Sequence, residues 1–180
     1  SEPRIVTLLP GDYTLREVAA PSGYERAQDV VFRVHVGGAV EVRSGGTLSS
    51  GAVTMRDAVR TMTVFFSKTA VGSPAELPGA QFELVGTSVD GAPVREQWTS
   101  SGEMHELTLA DGTYTLTETA APEGYDPVSP MTVIVRDGRL IVNEIAQSDA
   151  VVRVENEPTP MTAVSVMKQW QDNGNVDDLR

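Results

Sequence analysis

Three kinds of side chain that can react with one another recur along this chain at a nearly constant interval. Lys68 and Lys168 stand 100 residues apart, Glu17 and Glu118 stand 101 apart, and Asp57 and Asn156 stand 99 apart. In chain order the unit is a lysine, a glutamate, then an amide or acid: Lys68, Glu118 and Asn156 in the one copy that holds all three. A lysine buried among apolar side chains loses hydration and its pKa falls, while that of a buried glutamate rises, so both become neutral near pH 7. The neutral amine is then a nucleophile. The protonated carboxyl can hydrogen-bond the acceptor carbonyl, polarise it and shuttle protons as ammonia leaves. The product of that chemistry is a Lys68–Asn156 isopeptide bond. Asp57 occupies the place of Asn156 in the preceding copy, where a lysine–aspartate bond would expel water, and its lysine partner is absent from this chain.

The glutamates sit inside a sentence written twice, Tyr13-Thr-Leu-Arg-Glu17-Val-Ala-Ala-Pro21-Ser-Gly23-Tyr24 and Tyr114-Thr-Leu-Thr-Glu118-Thr-Ala-Ala-Pro122-Glu-Gly124-Tyr125. Solenoid repeats run about 20–50 residues, whereas a unit of about 100 can enclose its own core, so the period describes tandem domains. The repeat register predicts the later part of one module over 1–60, a complete module over 61–160, and the opening of a third over 161–180. The complete module ends in the proline-bearing junction Glu155-Asn156-Glu157-Pro158-Thr159-Pro160.

Those residues need elements to carry them. Residues 113–118, 131–136 and 150–155 are short, β-branched and mostly alternating, which predicts strands. Asp90-Gly91, Asp111-Gly112 and Asp137-Gly138 are turn dipeptides that predict hairpins, with Gly37-Gly38 in the place of the last of these in the earlier copy. Sixteen glycines and eleven prolines leave no room for a long amphipathic helix. The expected class is all-β: tandem immunoglobulin-like β-sandwich domains, one complete and two partial. First and last strands of a sandwich commonly lie side by side. Period 2 points Lys68 inward with Phe66, Glu118 with Leu116, and Asn156 with Val154.

Composition narrows the function. The 180 residues carry a formal net charge of −11 with scattered lysines and arginines, which excludes clustered phosphate contacts and so nucleic acid as a partner. No run of 18 apolar residues or basic leader is present, so no membrane insertion is expected within this stretch. With no cysteine, an extracellular domain would need a staple other than a disulfide. His35 and His105 fall in different modules without a second histidine nearby, so neither metal nor cofactor is expected. The Pro-x-Gly-Tyr ends at Pro21–Tyr24 and Pro122–Tyr125 read as turns with a packed tyrosine rather than ligand loops. No catalytic set for an external substrate can be assembled, so the chain is not expected to be an enzyme: the glutamate acts once, on its own chain.

Taken together, the doubled glutamate box, the segment Leu77-Pro78-Gly79-Ala80-Gln81-Phe82-Glu83-Leu84 after the lysine, and Lys168-Gln169-Trp170-Gln171-Asp172 resemble the Cna B-type, or prealbumin-like, repeat domains of Gram-positive surface adhesins and sortase-assembled pilins. The resemblance implies Lys68 as amine donor, Asn156 as acceptor and Glu118 as catalytic acid, with Glu17 and Asp57 in the same roles upstream and Lys168 downstream. It also implies an extracellular, cell-wall location and partners among other domains of the same surface protein or pilus. Neither the pilin motif whose lysine accepts the next subunit nor a sorting signal is evident, since Leu9-Pro10-Gly11 and Leu77-Pro78-Gly79 lack the remaining residues of the latter. Two other classes compete: a module binding host matrix such as collagen or fibronectin, for which an exposed apolar patch around Trp98 would speak, and a transthyretin-type carrier with a polar-lined pocket. A C-terminal segment bearing Lys168 that completes the first module of another copy is a further alternative.

Overall fold

The computed structural model describes residues 3–169 and is built of strands, with no helix among the described residues. The first seven strands are β1 (Gly11–Leu15), β2 (Tyr24–Glu25), β3 (Val30–Val34), β4 (Val40–Ser44), β5 (Thr47–Ser49), β6 (Ala52–Thr54) and β7 (Ala58–Val59). Nine more follow: β8 (Thr61–Ala70), β9 (Gln81–Ser88), β10 (Pro93–Thr99), β11 (His105–Ala110), β12 (Gly112–Ala120), β13 (Met131–Arg136), β14 (Arg139–Val142), β15 (Ile145–Ala146) and β16 (Val151–Asn156). The all-β expectation holds.

Strands β8–β16 make two layers. One is the sheet β10-β9-β12-β13-β14-β15, the other the sheet β11-β8-β16. The core lies between them because alternate side chains of each strand turn inward: Val64 and Phe66 from β8, Leu109 from β11, and Val152 and Val154 from β16 meet Phe82 and Leu84 from β9 and Tyr114 and Leu116 from β12. First and last strands are neighbours. β8 and β16 run parallel, with Val154 opposite Lys68 and Asn156 opposite Ala70.

The sequence repeat is also a repeat of hydrogen bonds. Tyr13 Oη donates to the Leu9 carbonyl at 2.8 Å and Tyr114 Oη to the Ala110 carbonyl at 2.7 Å. Arg60 N–H reaches the Gly23 carbonyl, and Thr159 N–H the Gly124 carbonyl, at 2.8 Å each. Each Pro-x-Gly-Tyr box closes a turn, Tyr24 N–H on Pro21 and Tyr125 N–H on Pro122, both at 3.1 Å. The order β1-β3-β4 matches β12-β13-β14. β12 is longer, nine residues against five for β1, where β9 pairs along its other edge.

Two of the three Asp-Gly turns join hairpins as expected. Asp137 and Gly138, at φ 51° and 71°, link β13 to β14 in the two-residue geometry that matches strand twist, and Asp90-Gly91 lies between the paired strands β9 and β10. Asp111-Gly112 does not form a hairpin. There the chain changes sheets, since β11 pairs with β8 whereas β12 pairs with β9 and β13. Its residues are chosen for close approach instead. Buried Asp111 accepts the Asp137 N–H at 2.6 Å, and a Cβ on Gly112 would lie 2.6 Å from the Thr87 carbonyl oxygen.

Candidate functional site

β8 brings Lys68 to the interior on the face it shares with Val64 and Phe66. The alternation that buries those two also buries the amine, leaving Lys68 2% exposed. On β16 the same alternation carries Val152, Val154 and Asn156 inward, and Asn156 is fully buried. β12 supplies Glu118 from the opposite sheet, after Tyr114 and Leu116. Three polar side chains from three strands thus converge inside an otherwise apolar core.

Their contacts are mutual. Lys68 Nζ is in contact with Asn156 Oδ1 and lies 3.8 Å from Glu118 Oε1. Asn156 Nδ2 donates to both Glu118 oxygens at 3.0 Å and to the Asp126 carbonyl at 2.9 Å. Glu118 Oε2 also accepts the Val128 N–H at 2.8 Å. Glu118 therefore stands between the amine and the amide nitrogen, within reach of both. Burial pushes the Lys68 pKa down, and the carboxylates of Glu118, Glu155 and Glu76 oppose that fall without reversing it. The arrangement suits attack by a neutral amine on a fixed amide carbon, with a carboxyl beside the leaving nitrogen.

An aromatic cover closes the site toward β10. Trp98 stacks on His105 with centroids 4.5 Å apart, on Phe82 at 5.4 Å, and tilts against Phe66 at 5.0 Å. Trp98 is half-buried in this cluster, which places its indole in core packing. The Trp98 ring and its neighbours border a narrow cleft that Lys68 also lines.

The other predicted residues are placed as follows. Glu17 is half-buried and accepts the Ala27 N–H at 3.0 Å, the counterpart of the Glu118–Val128 bond. Asp57 is half-buried and lines an open cleft with Pro21, Tyr24 and Arg56. Among the described residues Glu17 and Asp57 share no hydrogen bond. Lys168 lies on an exposed stretch without regular structure, and Trp170 and Asp172 lie outside the described residues.

Sequence reasoning missed three contributors. The Asp126 carbonyl and the Val128 N–H are main-chain groups, which no side-chain pattern marks. Glu76 bonds the backbone of Lys68 itself, with Oε2 accepting its N–H at 2.8 Å. The only advance signal for the first two was the Pro-x-Gly-Tyr turn, which leads Tyr125 into a bridge with Pro158 and so sets Asp126 beside Asn156.

The sequence pattern of the SpaA family, described as a prealbumin-like fold domain, matches residues 62–149. A C-terminal fragment of the pilus adhesin SpaC from Lactobacillus rhamnosus GG is similar with TM-score 0.52 and 21% identity, over 88% of this chain and 81% of that fragment. A longer SpaC structure gives TM-score 0.52 and 22% identity, over 84% of this chain and 25% of that one. Likeness at those identities concerns the fold. The pilus-presented adhesin Cpa is 33% identical over 46% of this chain and 19% of its own, with TM-score 0.43. The chain spans about a quarter or less of the longer adhesins. No curated protein matches it.

Proposed function

Residues 62–149 belong to the SpaA prealbumin-like domain family, and from that premise we propose that this chain is stalk or backbone material of a cell-wall-anchored Gram-positive adhesin or pilin, stapled by autocatalytic isopeptide bonds. The modules are those of the repeat register: the later part of one over 1–60, a complete one over 61–160, and the start of a third from 161. The observation that carries the reading is the convergence of Lys68, Glu118 and Asn156 within one buried contact set.

The reaction needs no outside reagent. Neutral Lys68 Nζ attacks Asn156 Cγ, and the Nζ–Cγ bond forms as the Cγ–Nδ2 bond breaks. Glu118, 3.8 Å from Nζ and 3.0 Å from Nδ2, takes the proton that the amine loses and returns it to the departing nitrogen, which leaves as ammonia. The Asp126 carbonyl holds Nδ2 during the exchange. Glu17 and Asp57 take the equivalent roles upstream, with water as the leaving group, and Lys168 that of the donor downstream.

The bond joins residues 88 apart and ties the first strand of the module to the last. Tension applied along the chain would enter at β8 and leave at β16 through the covalent tie, so the strands between them would bear little of it. That suits an extracellular tether, placed on the surface of the cell. Intact mass of the denatured chain tests the reading. A deficit of about 17 Da, one ammonia, is expected in the native sequence and absent from Lys68→Ala, Asn156→Ala and Glu118→Ala. A native chain at its full sequence mass overturns the bond.

A further inference from the structure

β11 stops pairing with β8 at Phe66, opposite His105, while β16 pairs with β8 on to Ala70. The stretch Ser67–Ala70 therefore has a ladder on one side only. On the other side a loop takes the place of a strand, bridging Thr69 through Glu76. Lys68 N–H donates to Glu76 Oε2 at 2.8 Å, and the Lys68 carbonyl accepts the Leu77 N–H at 2.6 Å. Glu76 Oε1 accepts in turn from Ser67 Oγ at 2.6 Å. One carboxylate thus substitutes for a missing rung at the residue that bears the amine.

We propose that Glu76 is a positioning residue for formation of the Lys68–Asn156 bond, clamping the Ser67–Lys68 backbone so that the lysine leaves β8 toward Asn156 and Glu118. The assignment rests on the isopeptide reading. Docking of the loop does not require the carboxylate, because Thr69 and Glu76 already bridge through their main chains and Ser100 Oγ donates to the Leu77 carbonyl at 2.7 Å. What the side chain adds is a fixed Lys68 N–H and a fixed Ser67. A nucleophile on an unpaired strand end would sample many directions, and near-attack geometry is sensitive to displacements of about 1 Å.

Glu76 also carries charge. The ionisable groups around Lys68 are Glu118 on β12, Glu155 on β16, Glu76 on the loop, and Glu103 and His105, which line the same cleft from β11 and the turn before it. The Glu76 carboxylate favours the ammonium form, which does not react. Glutamine at this place retains an acceptor for the Lys68 N–H and a donor for Ser67 Oγ but removes the charge. Clamp and charge can therefore be separated.

The test is cell-free synthesis of the full chain, with aliquots quenched in denaturant and bond formation read by intact mass across a pH series. Glu76→Ala is expected to slow the bond by about tenfold or more at every pH. Glu76→Gln is expected to restore most of the rate and to move its pH profile downward. An unchanged rate in Glu76→Ala, or Glu76→Gln as slow as Glu76→Ala, overturns the positioning role and leaves the isopeptide reading intact. If Glu76→Ala fails to fold by circular dichroism, Ser67→Ala, which removes the hydroxyl that holds Glu76 Oε1, takes its place, and an unchanged rate of bond formation there overturns the role. A native chain that never loses ammonia overturns both.

Discussion

Asn156 Nδ2 donates to both carboxylate oxygens of Glu118, at 3.0 Å each, from the sheet facing it. The pair spans the two layers of the sandwich, Glu118 from one sheet and Asn156 from the other, both buried. Lys68 enters beside it from the strand next to Asn156, so the contact joins β8, β12 and β16.

That geometry makes the acceptor's leaving group testable. Asn156→Asp puts at this place the residue type that Asp57 provides in the repeat register, and a bond formed there releases water in place of ammonia. The expected intact mass is about 18 Da below the sequence value rather than about 17. An Asn156→Asp chain at full sequence mass would show that the amide is required and would weaken the assignment of Asp57.

The proposed Lys68–Asn156 bond would close a loop between residues 88 apart and so restrict the unfolded chain. The chain-entropy relation for cross-links gives roughly 4–5 kcal/mol for a loop of that length. Asn156→Ala, which cannot form the bond, is expected to lower Tm by about 20 °C or more in differential scanning calorimetry. A fall of only a few degrees would mean that the tie adds little to equilibrium stability.

Without the bond, Lys68 leaves a signature in the pH dependence of stability. Burial holds its folded pKa below the ordinary 10.5. Between the two values the unfolded chain binds the extra proton, so stability rises with pH from the folded pKa up to about 10.5, and below the folded pKa the full cost of burying the ammonium is present. Urea unfolding of Asn156→Ala should show this alkaline rise, and adding Lys68→Met should remove it. Parallel curves for the two variants would place the unreacted lysine in water.

Much of the site was legible in the residues alone. The 100-residue period exposed Lys68, Glu118 and Asn156 as counterparts of Lys168, Glu17 and Asp57, because repetition separates retained chemistry from chance composition. Strand alternation then pointed each toward the core, since in a pleated strand Lys68 must share the side of Phe66, and Asn156 that of Val154. Neither step needs long-range information.

What the sequence left open depends on which distant segments become neighbours. Asp111-Gly112 has the local chemistry of a hairpin turn, yet the chain crosses between sheets there, because β8 claims β11 while β9 and β13 claim β12. Glu76 looks like any loop glutamate until the end of β11 leaves the Lys68 N–H without a strand to pair with. The Asp126 carbonyl and Val128 N–H carry no side-chain signal at all. The sequence by itself determined the residues, their inward faces and the all-β class, because these follow from residue type and a two-residue period. Only the tertiary structure decided their 3 Å geometry and the groups that hold it, because main-chain partners are assigned by packing between segments far apart in the chain.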